Sequence, residues 1–309
     1  MKASILFPAL LATSLSCAAL PLLGKPTWTD PAKAAAEDPD FNVQGEYVAD
    51  GKAAQVVATG NGRFIISEYV GGLPGAGWDG SKITRSSGDK ALVSRKLAKF
   101  ERIEREVPTL GAKPPEGAVV LFDGEGTGEW NKAKVEDGFL MAGTTTKRKF
   151  KDFKLHLEFR LPYKPETPLS HQDRGNSGIY IFDRYEVQIL DSFGLDYDLS
   201  TWDGENLSDS KQWCGSFYKF KTPDVPMCLP PLTWQSYDID FTAPKLEGGK
   251  KVSNARVTVF HNGVKIHDDL ELPKGTGNGG KLAEVPEGSL QFQGHGNPVQ
   301  FRNVWIEEK

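Results

Sequence analysis

The chain has 309 residues, with 37 Lys and Arg against 41 Asp and Glu, for a formal charge of −4. Its cations are scattered, which excludes the clustered basic face that a nucleic-acid partner requires. Glycine (33) and proline (20) are plentiful, while Ala-Leu-Glu blocks of helical type nearly vanish after residue 40. Short strands joined by turns are therefore the expected material.

Lys2 precedes an apolar stretch from Ile5 to Leu23 that is broken by Pro8 and Pro21, the make-up of an export signal. Residues 1–24 are read as that signal, which places the mature protein in the periplasm or outside the cell. Lipid anchoring at Cys17 is the less favoured alternative, because Ser14-Leu15-Ser16-Cys17 is a poor acylation motif. No later stretch is apolar for the roughly 18 residues that a membrane span needs. If Cys17 leaves with the signal, Cys214 and Cys228 remain. Two cysteines in an oxidising compartment are expected to pair, with two buried free thiols as the alternative.

Residues 25–112 read as a small β-rich module after a short polar leader. Alternation in Gln55-Val56-Val57-Ala58 and in Arg63-Phe64-Ile65-Ile66-Ser67, separated by Asn61-Gly62, predicts a tight hairpin. Val107 to Pro115 is rich in proline and predicts a linker with a domain boundary. From 113 to 309 strand follows strand: AVVLFDG, GFLMAG, KLHLEFRL, SGIYIFD, YEVQILD, QSYDIDFTA, ARVTVFHNG, VKIHDDL, SLQFQG and VQFRNVWIEE. About ten short strands with turn signals between them predict an all-β sandwich or jelly roll. The segment 192–232 is long and irregular, as functional loops often are.

Side chains two apart share a face of a strand. Leu155, Leu157 and Phe159 are predicted to face the core, with His156, Glu158 and Arg160 opposite. Val187 and Ile189 leave Glu186 and Gln188 pointing outward together. Leu290 and Phe292 leave Gln291, Gln293 and His295 on the other side. Carboxylate, amide and imidazole groups on non-core faces suit a sugar groove, although ordinary solvated alternation has the same pattern. Asp196, Asp198, Asp203 and Glu205 offer oxygen ligands of the kind Ca²⁺ favours, but their spacing matches no EF-hand. A metal or other cofactor is thus neither required nor excluded. No Gly-rich phosphate loop, GxSxG elbow or CxxC pair occurs.

The ordered series LFDGEGTGEWNKAKVEDGFLMAG, DFKLHLEFRLP, RGNSGIYIFDRYEVQILDSFG, WQSYDIDFTAPK, ARVTVFHNGVKIHDD and LQFQGHGNPVQFRNVWI resembles the 3-keto-disaccharide hydrolase family from about Val119 to Ile306. The resemblance implies a concanavalin/laminarinase-type jelly-roll β-sandwich, a carbohydrate substrate and cleavage of a glycosidic bond. The chain departs from the family pattern at Gly294, where many members carry Asp, so a role needing a carboxylate beside His295 is not carried over.

A ketone at C3 acidifies the C2 proton, and the glycosidic oxygen on C1 lies β to that carbonyl. Elimination followed by hydration would need a base tuned toward neutral pH, a partner for the enolate oxygen and an acid for the leaving group. Direct hydrolysis would instead use two carboxylates flanking the bond. For either route Glu186 is the first candidate, as base or metal ligand, with His295 second and Glu158 as the second carboxylate. Arg174 is placed to polarise the C3 carbonyl. Asn176 and Gln188 would bond sugar hydroxyls, and Tyr180 and Trp202 would stack on the ring. Each also has a structural alternative: a buried network for Glu186, turn bracing for Arg174, Asn176 and His295, solvated strand for Glu158, core packing for the aromatics. The rival reading of the whole domain is a non-catalytic carbohydrate-binding module. The oligomeric state is left open.

Overall fold

The computed structural model describes residues 25–197 and 207–309. The expected export signal, Cys17, Trp202 and the acidic residues Asp198, Asp203 and Glu205 lie outside the described residues. Among the described residues no helix is long and apolar enough to cross a membrane.

The N-terminal unit opens with helix α1 (Pro31–Glu37), whose start is set by Asp30: its carboxylate accepts from the N–H groups of Ala32 and Lys33, with Pro31 in the first turn. Strands β1 (Gly45–Ala49), β2 (Lys52–Gly60), β3 (Arg63–Val70), β4 (Thr84–Asp89) and β5 (Glu101–Ile103) form one antiparallel sheet in the order β4-β3-β2-β1-β5. Helix α2 (Lys90–Lys96) follows β4 and is capped by Asp89. Asn61 and Gly62 join β2 to β3 with φ of 54° and 72°, the left-handed pair that a two-residue hairpin demands.

The remainder is a two-sheet sandwich. Its first strands are β6 (Val119–Phe122), β7 (Trp130–Asn131), β8 (Val135–Glu136), β9 (Phe139–Met141), β10 (Thr144–Thr146), β11 (Phe153–Arg160), β12 (Ser177–Ile181) and β13 (Tyr185–Ile189). After the irregular stretch come β14 (Trp234–Thr242), β15 (Lys245–Glu247), β16 (Lys250–Ser253), β17 (Ala255–His261), β18 (Val264–Leu272), β19 (Leu290–Phe292) and β20 (Gln300–Glu308). The smaller sheet runs β13-β12-β19-β10-β7; the larger runs β18-β17-β14-β11-β20-β9-β8, with β6 also on β20. Inward residues of both sheets make the core: Leu155, Leu157 and Phe159 from β11, Tyr237, Ile239 and Phe241 from β14, Val187 and Ile189 from β13, Phe292 from β19. Burying one such side chain is worth about 1.5–3 kcal/mol. Strand alternation of this kind, closed by covering loops, is an all-β jelly-roll sandwich, as the sequence pattern predicts.

The two units share that core. Val57 of β2 and Ile65 of β3 belong to the sandwich's apolar cluster, and Ser67 donates to the Gly194 carbonyl at 3.1 Å. A Cβ on Gly194 would lie 2.3 Å from Val57 Cγ2, so the segment after β13 sits flush against the module. The proline-rich stretch is not a free linker but a strap over the outer face of the larger sheet. Val107 is buried, Thr109 and Ser236 share a hydroxyl–hydroxyl bond of 2.5 Å, Gly111 N–H donates to Glu158, and the Ala112 carbonyl accepts from Asn303 and Trp305.

The expected disulfide is corrected by the structure, in which Cys214 and Cys228 are both buried free thiols. The Cys214 Sγ lies 3.2 Å from the Tyr237 hydroxyl, and Cys228 donates to the carbonyls of Leu190 and Leu229 at 3.6 Å. Each sulfur thus has a partner in the core without a covalent bond.

Candidate active site

The outward face of the smaller sheet carries the site. In the register of β12 and β13, Tyr180 stands directly opposite Glu186, and Gly178 opposite Gln188; on its other side Tyr180 faces Gln291 of β19. The Gly178 position needs glycine for a steric reason: a Cβ there would lie 2.6 Å from Glu186 Oε1. Covering loops turn this sheet face into a pocket of about 520 Å³ that is walled by Gln172, Asn176, Tyr180, Glu186, Tyr218, Lys219, Gln293 and His295. Gly277, at φ 49°, crosses the Tyr218 ring so closely that a Cβ would meet it at 2.8 Å.

Glu186 is only 2% exposed, and its backbone N–H is held by Thr276 Oγ1 at 2.8 Å. Burial pushes its carboxyl up to about 7, while a hydrogen bond with the Tyr180 hydroxyl pulls the other way. Burial, and then the neighbouring Glu186 charge, hold the Tyr180 and Tyr218 phenols protonated. The Gln188 amide lies 3.0 Å from Asn176 Oδ1. Turned so that its NH₂ faces the carboxylate, it donates to Glu186 Oε1 at 3.0 Å and to the Ser177 carbonyl at 3.2 Å. A carboxylate that ionises near neutrality, ringed by hydroxyl and amide groups, is built to accept a proton. Among the described residues, Gln172 Nε2 and Gln293 Oε1 have no hydrogen-bond partner. One offers a donor and the other an acceptor on the pocket wall.

His295 occupies the exposed glycine-rich turn Gly294–Gly296 and lines the same pocket, with Asn176 and Tyr180. Gln188, expected to bond sugar hydroxyls, is 0% exposed and absent from the pocket wall, its amide spent on Asn176 and Glu186. Two other sequence candidates lie elsewhere. Arg174 does not reach the pocket: its guanidinium is buried, donates to Asp191 Oδ2 at 2.7 Å and to the carbonyls of Lys164, Pro165, Thr167 and Ala58. Each of its three nitrogens is engaged, tying the loop that precedes β12 to Asp191 and to β2. Glu158 projects from the larger sheet, away from the core, on the far side of the sandwich from Glu186. Packed sheets stand about 10 Å apart, so the two cannot flank one glycosidic bond.

Glu158 instead anchors a charge cluster under the strap, accepting from Gly111 N–H (2.5 Å), Arg302 Nε (2.6 Å) and Asn303 Nδ2 (2.8 Å), beside His156. Burial would raise its carboxyl, but His156, Asn303, Gly111 and Arg302 together bring it down to about 2. Burial likewise opposes a charge on His156, yet Asp238 at 2.7 Å and Glu158 lift its ring to about 9. These groups hold the fold together.

Tyr218, Lys219 and Gln172 escaped sequence reasoning. Tyr218 and Lys219 lie in the irregular stretch, where no periodicity assigns a face, and only its length hinted at function. Of the acidic residues considered for Ca²⁺, Asp196 is ion-paired with Arg85. Among the described residues no group of three His, Cys, Asp or Glu side chains is arranged to hold a metal ion. A second cavity of about 370 Å³ lies where the N-terminal unit meets Pro230 and Pro231, but its Glu46 and Arg105 are already paired at 2.5 Å.

Comparison with known proteins agrees with this architecture. The sequence profile of the 3-keto-alpha-glucoside-1,2-lyase-like domain matches residues 117–307. A solved structure described as a "putative glycosyl hydrolase" from Parabacteroides distasonis is 30% identical, with a TM-score of 0.52, over 63% of this chain and 84% of that one. Two further structures from that organism, described in the same words, are 19% and 20% identical with TM-scores of 0.45 and 0.41. They cover 62% of this chain each, and 94% and 99% of their own. No functionally curated protein matches the chain.

Proposed function

Because this chain belongs to the 3-keto-alpha-glucoside-1,2-lyase-like family, we propose that it cleaves 3-keto-glycosides or 3-keto-disaccharides, with Glu186 as the base. The observation that carries the proposal is the buried Glu186 carboxyl, raised to about 7, in a pocket whose other side chains are amides, phenols, an imidazole and the ammonium of Lys219. Glu186 takes the proton from C2 and the C2–H electron pair moves onto the C3 oxygen as an enolate. Its collapse restores the ketone, forms a C1–C2 double bond and expels the C1 oxygen. The departing oxygen receives the proton held by Glu186, and water can then add across the double bond. This route needs one carboxylate. Two-carboxylate hydrolysis would need a second carboxylate in the pocket, and Glu158 is on the other sheet. Asn176, Gln172 and Gln293 are suited to the sugar hydroxyls, and His295 at the mouth to the leaving group. Lys2 and the apolar run to Leu23 argue for action outside the cytoplasm.

The test is incubation with 3-keto-lactose, 3-keto-trehalose and their unoxidised parents. Sugar release is expected from the keto compounds alone, since only they have an acidic C2 proton. Equal turnover of the parents would refute the elimination route; binding of the keto-sugar with no release would favour a carbohydrate-binding module.

A further inference from the structure

We infer that Lys219 is a catalytic cation of this pocket, binding the C3 carbonyl oxygen of the substrate and countering the charge that gathers there when Glu186 takes the C2 proton. The inference rests on the proposed function and supplies what that reaction lacks once Arg174 is excluded. Enolate formation moves a full negative charge onto one oxygen, and preorganised positive charge at that oxygen is where the largest rate gains arise. Among the described residues lining the pocket, Lys219 is the only Lys or Arg.

The backbone delivers it to that place. Residues 215–218 run beside β13: Gly215 N–H donates to the Gln188 carbonyl (2.9 Å), Gln188 N–H to Ser216 (2.9 Å) and Tyr218 N–H to Glu186 (3.1 Å). The ladder ends opposite the site carboxylate, so the next residue leaves the sheet at the pocket wall. Reciprocal bonds between Phe217 and Lys221, of 3.0 and 3.1 Å, close a tight turn with Lys219 at its apex. The Lys219 N–H is tied to the Lys211 carbonyl at 2.9 Å.

Lys219 sits at φ 57°, a left-handed conformation that glycine or asparagine adopts far more readily than a long side chain. Strain of this sort tends to be kept where a side chain is needed. Its Nζ lies 5.3 Å from the centroid of the Tyr218 ring, which orients the ammonium without neutralising it. Among the described residues no carboxylate forms an ion pair with it. Its protons stay in place throughout the reaction: the C2 proton goes to Glu186, the electron pair to the C3 oxygen and then into the C1–C2 bond.

The experiment compares the full chain with Lys219→Met, Lys219→Arg and Lys219→Gly on a 3-keto-glucoside, reading kcat, KM and hydrogen–deuterium exchange at C2. The Met and Gly variants should lose kcat and C2 exchange together, on the order of 10²–10³-fold, with KM changed only a few-fold. Arginine should recover most of the loss. The Gly variant should melt no lower than the unaltered protein, because it relieves the left-handed strain; a purely structural lysine would not divide activity from stability in this way. Full turnover by Lys219→Met, alongside an active unaltered protein, overturns the inference and leaves the proposed function intact. An unaltered protein that cleaves no keto-sugar removes both.

Discussion

Glu186 illustrates how one residue can be costly to the fold and useful to the site. Its carboxyl ionises at about 7 in the folded chain against an ordinary 4.5. Below pH 4.5 both folded and unfolded chains hold the proton, so the residue is neutral toward stability. Between 4.5 and 7 only the folded chain keeps it, so stability falls as pH rises, and the full cost is present above 7. At about 1.4 kcal/mol per tenfold change, that cost is on the order of 3 kcal/mol. Glu186→Gln should therefore melt higher than the unaltered protein at pH 8, with the difference vanishing below pH 4.5. The same change should lower kcat on the order of 10²–10⁴-fold, because no other buried carboxylate lines the pocket. In the unaltered enzyme the rate should climb through about pH 7 as the carboxylate forms. Thermal melts across pH and a pH–rate profile check these together. Period two identified Glu186 and Gln188 as candidates because a strand offers side chains only two directions. It was silent on Lys219, whose direction is set by a turn with no repeat.

At the scale of elements, the sheets present the chemistry and the loops are held by ion pairs. Arg174 leads the Gly175-Asn176 turn into β12, and Asp191 lies two residues past the end of β13. Their 2.7 Å contact, with Asp191 N–H donating to the Arg174 carbonyl at 2.9 Å, ties together both ends of the strand pair that carries Tyr180 and Glu186. Breaking a buried pair strands a charge. Arg174→Met should cost about 3–5 kcal/mol in chemical denaturation. Since Gln172 and Asn176 flank Arg174, keto-sugar affinity should fall as well, and lysine should not restore it because one ammonium cannot reach four carbonyls and a carboxylate. The sequence placed Arg174 beside a turn with equal claims to catalysis and bracing. Only the position of Asp191 decides between them. Glu158 shows the same limit. Its face was legible, but whether that face holds substrate or a strap depends on Gly111, 47 residues upstream.

For the whole molecule the question is whether the N-terminal unit and the sandwich behave as one body. Val57 and Ile65 enter the sandwich core, the Ala58 carbonyl accepts from Arg174, and the 107–112 strap seals the His156–Glu158 cluster. Phe64 lies in the N-terminal unit's apolar cluster, which Tyr163 and Leu232 of the sandwich also join, and Phe159 deep in the sandwich. Phe64→Ala and Phe159→Ala should each cost about 3–5 kcal/mol. Both should lower a single calorimetric transition, since the shared contacts couple the two cores. A second transition that moves with Phe64→Ala alone would show that the units unfold separately.

The sequence by itself determined the longer strands of the sandwich, the Asn61–Gly62 hairpin, the inward and outward faces of those strands and the family, because these rest on local periodicity, turn chemistry and ordered motifs. The tertiary structure decided which outward face holds a pocket, what Arg174 and Glu158 are for, that the proline-rich stretch is a strap, and that Cys214 and Cys228 stay as thiols. The physical reason is that burial, ion pairing and pocket shape arise from contacts between residues tens to hundreds of positions apart, and no local pattern encodes those.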